Sequence, residues 1–447
     1  MTERLLVIGG DPGGMAAATQ ARRRQPYLEI VALERGTRTS YSACGIPYLV
    51  AGDIDGPDQL IARTPEEFRE QRIDVRIRHE AMAIDLDARR VEVHDHGRGR
   101  TFELGFDRLH LGTGARPIRP DLPGIDLPHV HGVQTVDDGV DLLDHARRSQ
   151  CRKVVVIGGG YIGIEIAEAF IKWGAEVTLL EGDDQLMRTL DPDMAAPVAT
   201  AMRKHGVDVR LGVRAEGFEP DQVLTDHGSV DADLVVLGLG VVPNADLAAV
   251  AGVDTGIRGA IRVNRRQQTS ADGVYAAGDC AESFHRVSQR QVHVALGTVA
   301  NKQGRVAGIN LGGGYATFPG VVGTAITKVC ATEMARTGLN ESEAALAGFG
   351  YETATISSTT RAGYYPDTRP IRIKVLAEHG SRRLLGAQIV GEEGAAKRID
   401  VLATAITAGM TVDEVIDLDL AYAPPFSGVW DAVHIAARTV ASALDGS

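Results

Sequence analysis

Cys44 is the residue of this chain best placed to do covalent redox chemistry. It lies in Ser40-Tyr41-Ser42-Ala43-Cys44-Gly45-Ile46-Pro47-Tyr48, and the next cysteine is Cys151. A thiol with no neighbouring cysteine cycles through a sulfenic acid or through a mixed disulfide with a small external thiol. Cys44 follows a glycine-rich turn, Gly9-Gly10-Asp11-Pro12-Gly13-Gly14, and a second turn follows later, Gly158-Gly159-Gly160-Tyr161-Ile162-Gly163. Such turns let backbone approach a pyrophosphate and open a helix whose free N–H groups favour anions. An acid follows each turn, Glu34 and Glu181, suited to a pair of ribose hydroxyls. Two such units imply two dinucleotides, and hence electron transfer between them.

The elements that must hold these residues are legible in outline. Leu5 to Ile8 reads as a buried strand, Met15 to Arg24 as a helix and Glu29 to Leu33 as a strand ending on Glu34. The pattern recurs with the strand Lys153 to Ile157, the helix Ile164 to Lys172 and the strand Glu176 to Leu180. Leu109 to Pro117, containing Thr113 and Gly114, is a strand and turn ahead of the second unit; Val235 to Gly240 closes that unit. Gly273 to Asp279 is a strand ending on Gly278-Asp279. From about Phe318 the texture changes, with strands at Ile371 to Leu376 and Leu384 to Val390 before an amphipathic helix near Ala396 to Ala408. The fold class is therefore α/β, with two Rossmann-type units and a separate C-terminal α+β domain.

Bulk properties narrow the class. A chain of 447 residues suggests two or three domains. A net charge of −12 argues against a general nucleic-acid binder. The four cysteines show no disulfide-framework or zinc spacing and the thirteen histidines no metal-ligand spacing, so no metal is expected. No signal peptide or long apolar run is evident, which makes the cytoplasm the expected location, away from membranes. At the second acid, Glu181 accepts from ribose hydroxyls and repels a 2′-phosphate; Asp183 and Asp184 add negative charge, and no arginine comes before Arg188. NADH is thus expected over NADPH.

These residues resemble the pyridine nucleotide–disulfide oxidoreductases over essentially the whole chain. The Ser-x-x-x-Cys-Gly-x-Pro-Tyr segment is similar to the single-cysteine branch of coenzyme A-disulfide reductases, NADH oxidases and NADH peroxidases. So are Gly323 to Val329, Gly391 to Asp400 and Ala421 to Ser427. The resemblance implies an FAD domain (1–116 and 244–317), an NAD(P)H domain (117–243), a dimerisation domain (318–447) and a homodimer with shared active sites. FAD would lie on Gly9, Gly10, Gly13 and Gly14, with Glu34 at its ribose, Asp279 and Gly278 at its ribityl chain, and Arg35, Ser42, Thr113 and Gly114 nearby. NADH would lie on Gly158, Gly160, Tyr161, Gly163, Glu181 and Gly240. Asp11 takes the place of the middle glycine, so its side chain must turn away from phosphate.

For chemistry, the resemblance implies Cys44 as the redox thiol, which needs a depressed pKa to be a thiolate at neutral pH. Tyr161 would gate the flavin and Glu165 line the nicotinamide pocket. Tyr365 and Tyr422 would reach the partner's cysteine, with Tyr364 an equal candidate to Tyr365. A coenzyme A moiety would meet Gln20, Arg22, Arg23 and Ser40, with Arg72, Lys397 and Arg398 as additions. Ala43 and Trp430 depart from the best-known coenzyme A-specific members, which carry an amide and a lysine there. Pro12 replaces the histidine of oxidase and peroxidase members and cannot transfer a proton, which disfavours peroxide chemistry. The expected activity is NADH-dependent reduction of coenzyme A disulfide, or of a persulfide or polysulfide on coenzyme A. An NADH oxidase making peroxide and a redox-sensing or electron-donor partner protein are the alternatives.

Overall fold

A computed structural model describes residues 3–446 of the chain. Its first sheet runs, in spatial order, Val274–Ala276, Arg108–Leu111, Arg4–Ile8, Glu29–Glu34 and Ile73–Ile77. Every neighbouring pair is parallel. Leu5, Leu6 and Val7 are all fully buried, the near-continuous apolar run expected of a parallel strand covered on both faces. The second sheet repeats the design with Asp208–Leu211, Glu176–Glu181, Lys153–Ile157, Leu234–Leu237 and Val130–Gly132, again all parallel.

The duplication extends further than the glycine turns. Each parallel sheet is interrupted in the chain by a three-stranded antiparallel meander. The first comprises His79–Asp85, Arg90–Asp95 and Arg100–Gly105; the second comprises Ala215–Glu219, Gln222–Thr225 and Gly228–Asp231. The chain leaves the first unit at Ala115–Pro117 and returns at Val241–Pro243, and these two short strands pair antiparallel. Thr113 and Asn244 fasten the same crossing: Thr113 Oγ1 donates to the Asn244 carbonyl at 2.5 Å and Asn244 Nδ2 to the Thr113 carbonyl at 3.0 Å.

Both nucleotide-unit helices begin earlier than hydrophobic periodicity indicates, at Pro12 rather than Met15 and at Tyr161 rather than Ile164. Pro12 sits at the first helical position, where its fixed φ and missing N–H cost nothing. The first helix, Pro12–Arg24, ends as Gln25 turns to extended backbone ahead of Pro26, with Arg22, Arg23 and Arg24 in its last turn facing the negative end of the dipole.

The C-terminal region is an antiparallel sheet ordered Ala325–Val329, Thr332–Gly338, Leu384–Gly391, Pro370–Glu378, Tyr351–Thr359. The helices Ile399–Ala408 and Ala432–Gly446 share a core with it, in which Ile373, Val375 and Ile389 meet Leu402, Val433 and Val440. Lys374 on this sheet is 5% exposed and pairs with Asp191 at 3.2 Å, Asp193 at 2.8 Å and Glu341. Asp191 and Asp193 open the helix Pro192–Lys204 of the second unit, so this ion-pair group bolts the two regions together. No helix of the described residues is long and apolar enough to cross a membrane.

Candidate functional site

The two glycine turns are built alike. Gly9 and Gly158 hold φ of +107° and +102°, a region costly for any residue with a Cβ. A Cβ at Gly14 would stand 1.9 Å from the Gly9 carbonyl oxygen, and one at Gly163 would stand 1.8 Å from that of Gly158. The acids act alike as well. Glu34 accepts from the N–H groups of Gly10 at 2.9 Å and Gly36 at 2.7 Å. Glu181 accepts from Gly159 at 2.6 Å and Asp183 at 3.0 Å. Neither helix start is capped by a side chain, at Asp11 or at Gly160. Two bare helix N-termini, each with an acid at its edge, fit two anionic dinucleotides.

Asp279 gives the first site a sharper test. It lies beside the first turn, since a Cβ on Gly13 would stand 2.7 Å from the Ala277 carbonyl oxygen. Burial pushes its carboxyl up to about 6. Among the described residues no protein group hydrogen-bonds that carboxylate, although Gly278 N–H before it is held by Gln303 at 2.9 Å. An acid desolvated without a partner suits a ligand that brings hydroxyl donors. The residues present therefore fit FAD, with Glu34 for ribose hydroxyls, the first helix N-terminus for pyrophosphate and Asp279 for the ribityl chain. Thr113 and Gly114 tie the domain crossing beside this site. Gly240, at φ +88°, takes the same tie from the far strand, its carbonyl accepting from Ile118 N–H at 2.9 Å.

Cys44 occupies a short 3₁₀ turn, Ala43–Gly45, and is exposed. Its segment is sewn to the first glycine turn. Ser40, in a left-handed conformation at φ +52°, donates its N–H to the Gly10 carbonyl at 2.8 Å, and Tyr41 N–H donates to Asp11 Oδ1 at 3.1 Å. Ser42 N–H donates to Leu60 O at 2.8 Å on the opposite side. Asp11 does turn its carboxylate aside, toward the cysteine segment.

The thiol is not lowered by the protein around it, contrary to the depressed value its sequence context suggests. Burial pushes the Cys44 thiol up, and the charges of Glu165, Asp279 and Asp11 add to that. The helix Ile46–Ala51 begins two residues on and opposes this with the positive end of its dipole. Glu165 comes from the second-unit helix Tyr161–Lys172, accepts from the Thr327 hydroxyl, and is itself raised by burial. Tyr161 receives a hydrogen bond from Thr189 Oγ1 at 3.4 Å. Cys44 and Glu165 thus come within electrostatic reach of each other, while Tyr161 opens the same helix.

The proposed basic residues separate into two groups. Arg22 and Arg72 lie together, with Arg69 (paired to Glu66) and the acids Glu29 and Asp74, around an open pocket of about 600 Å³ at the far end of the first helix. Arg22 gives its donors to the carbonyls of Gln25, Pro26, Gln71 and Arg72, so it is a fixed charge rather than a mobile one. Arg23 is exposed beside it, and Gln20 lies against Gly308 of the neighbouring helix Gly297–Leu311. Lys397 and Arg398 stand in the C-terminal region instead. Arg398 pairs with Asp431 at 3.0 Å and donates to the Thr360 carbonyl, which commits it to structure; Lys397 pairs with Asp400.

Tyr422 is exposed, and its neighbour is Tyr364 rather than Tyr365: interaction with the Tyr364 phenol pushes the Tyr422 hydroxyl up. Tyr365 is held by backbone, its N–H donating to Ala362 O at 2.8 Å. The sequence offers two adjacent tyrosines, and only the fold shows which one meets Tyr422. Trp430 is also half exposed and carries Arg438 over its ring at 4.7 Å. Sequence reasoning also missed Thr327, the partner of Glu165, because a strand threonine carries no motif.

Comparison with known proteins gives the chain's relatives. Residues 3–304 match the family described as pyridine nucleotide-disulphide oxidoreductase, and residues 324–433 match its dimerisation domain. The chain is 39% identical over 446 residues to an NAD(P)H coenzyme A polysulfide/persulfide reductase of Pyrococcus horikoshii, covering 98% of this chain and 99% of that protein. Among solved structures, an NAD-dependent persulfide reductase from A. fulgidus superposes with a TM-score of 0.96 at 39% identity, covering 99% of this chain and 84% of the other. Reduced Bacillus anthracis CoADR-RHD superposes with a TM-score of 0.97 at 33% identity, over 100% of this chain and 81% of the other.

Proposed function

This chain belongs to the pyridine nucleotide-disulphide oxidoreductase family, and on that premise we propose that it reduces a coenzyme A disulfide, persulfide or polysulfide through Cys44. The observation that carries the substrate class is the layout of the first helix. Cys44 lies at its N-terminal turn and the pocket of Arg22, Arg69 and Arg72 at its other end. A helix of 13 residues spans ~20 Å. A thiol on a long neutral arm ending in phosphates matches a sulfur site separated from a basic site by that distance. The names borne by the Pyrococcus and A. fulgidus relatives support the same class.

The chain's own residues then divide the work. The Cys44 thiolate attacks one sulfur of the substrate, forming a mixed disulfide and expelling the other half as a thiolate. Tyr422, with Tyr364 beside it, protonates that leaving group from the second copy of a homodimer. Glu165, steadied by Thr327, lies on the nicotinamide side of Cys44 and is inclined to hold a proton there. FAD, when bound, would supply the electron pair taken from NAD(P)H that breaks the mixed disulfide, returning Cys44 to the thiolate and releasing the retained half as a thiol. The proposed division into 1–116 with 244–317, 117–243 and 318–447 keeps each five-stranded sheet within one part.

NADH is the favoured donor in this reading. Glu181 stands where ribose hydroxyls would lie, and Arg188 is tied to Asp183 at 2.7 Å, which leaves it less free to meet a 2′-phosphate. Arg214 packs against Gly182 and is the cation that a phosphate would have to recruit.

Steady-state kinetics with NADH against coenzyme A disulfide, coenzyme A persulfide, glutathione disulfide and oxygen test the reading, together with the mass of the protein as purified. The coenzyme A substrates should dominate, with a coenzyme A adduct on Cys44. Oxygen as the best acceptor, with a sulfenic acid on Cys44, would replace this reading by an oxidase.

A further inference from the structure

Asp11 stands where the first glycine turn would ordinarily have its middle glycine, and the reaction above gives it no task. It precedes the first helix without capping it. Its carboxylate instead accepts the Tyr41 N–H at 3.1 Å, three residues before Cys44. The other ties between turn and cysteine segment, Ser40 N–H and Thr39 Oγ1 to the Gly10 carbonyl, are not titratable. Asp11 is thus the ionisable link between the first dinucleotide turn and the redox thiol.

Its surroundings are acidic. Asp279 faces it from the opposite strand end and Glu34 from the edge of the turn. Cys44 and the partly buried Tyr41 lie on the segment it holds, and Glu165 faces Cys44 from the second-unit helix. Arg35 and Asp137 bear on Glu34 with opposite signs. His110, against the Gly13 backbone, is fully buried and pushed down to about 4, so it offers no positive charge at neutral pH. Burial raises the Asp11 carboxyl to about 8, with Glu34 and Asp279 adding to the rise and the Tyr41 N–H opposing it. The carboxyl therefore favours its protonated form at neutral pH, and a pyrophosphate at the first helix N-terminus would raise it further.

We propose that Asp11 is a positioning residue: its side chain fastens the cysteine segment to the first turn, and its carboxylate is one of three that oppose ionisation of Cys44. Neutral Asp11 keeps the fastening and spares Cys44 a like charge. Ionised Asp11 tightens the bond to Tyr41 N–H but opposes the thiolate. This inference rests on the reading of Cys44 as the redox nucleophile.

The test compares the FAD-loaded wild-type protein with Asp11→Asn and Asp11→Gly. The rate of iodoacetamide labelling is followed against pH, with the modified cysteine identified by peptide mass. Asp11→Asn keeps an acceptor for Tyr41 N–H and cannot ionise. Asp11→Gly restores the ordinary turn residue and removes both effects. Both variants should move the Cys44 midpoint down by about a few tenths of a pH unit. Only Asp11→Gly should also loosen the segment, raising KM for the disulfide while Asp11→Asn leaves KM within about twofold. Superposed titrations of wild type and both variants would overturn the proposal, since a purely structural aspartate does not move a thiol midpoint. The labelling curve does not depend on disulfide turnover, so its outcome is separable from failure of Cys44 as nucleophile.

Discussion

Ionising Cys44 places a negative sulfur among Glu165, Asp279 and Asp11, and that local balance governs the residue-scale chemistry. Asp11 and Asp279 are both raised carboxyls, to about 8 and about 6. The folded state holds protons there that the unfolded state has released above the ordinary carboxylate range. Their contribution to stability is therefore complete at low pH and is lost as pH rises, through about 6 for Asp279 and about 8 for Asp11. FAD-free protein should melt lower at pH 8.5 than at pH 5, and Asp11→Asn should flatten part of that slope; differential scanning calorimetry at both pH values checks this. On the proposed reading, Glu181 governs donor choice. Its replacement by alanine should erode the kcat/KM preference for NADH over NADPH by about 5- to 150-fold, equivalent to ~1–3 kcal/mol. A wild-type preference for NADPH in the same kinetics would overturn the role given to Glu181. At this scale Cys44, the glycines and the two acids stand out in the sequence, because each has a type and spacing suited to the proposed ligands. The sequence did not show the Tyr364–Tyr422, Thr327–Glu165 or Asp11–Tyr41 contacts, which join residues from separate stretches of chain.

The strand–turn–helix element carries both cofactor sites, and its tolerance is set by backbone contact. Gly163→Ala would drive a methyl to 1.8 Å from the Gly158 carbonyl, a clash with backbone that no rotamer relieves. That variant should retain FAD, seen in its visible spectrum, yet lose NADH-dependent flavin reduction. Gly14→Ala, at 1.9 Å from the Gly9 carbonyl, should instead purify without FAD. The strands of these elements were readable to within a residue or so, because parallel strands buried on both faces are apolar runs. The helix starts were not, because Gly13, Gly14 and Gly163 look like turn residues until their close packing is seen. The two meanders were also unmarked. Arg90–Asp95, with the exposure of its residues alternating along one such strand, carries three charged residues and a histidine among its six, leaving too weak a pattern to register.

At the scale of the whole molecule, Lys374 and its three carboxylates hold the second nucleotide unit against the C-terminal sheet. Lys374→Met leaves Asp191 buried at 3% exposure without its cation. It should cost about 3–5 kcal/mol in chemical denaturation. The sequence could not announce this bolt, since Asp191, Glu341 and Lys374 are far apart in the chain and each alone reads as a surface charge. On the proposed reading of a shared homodimeric site, the Tyr422 of one copy would serve the Cys44 of the other. Cys44→Ser subunits co-expressed with Tyr422→Phe subunits should then recover disulfide turnover above either parent, because one of the two sites is intact. No recovery in verified heterodimers would remove Tyr422 from the partner's site. The central claim is that electrons leave this protein through one thiol, and a stopped-flow comparison of wild type with Cys44→Ser tests it most directly. The account predicts that the variant retains FAD, that NADH still bleaches it, and that turnover of coenzyme A disulfide and persulfide falls to background. Disulfide or persulfide turnover by Cys44→Ser at a rate comparable to wild type would contradict it.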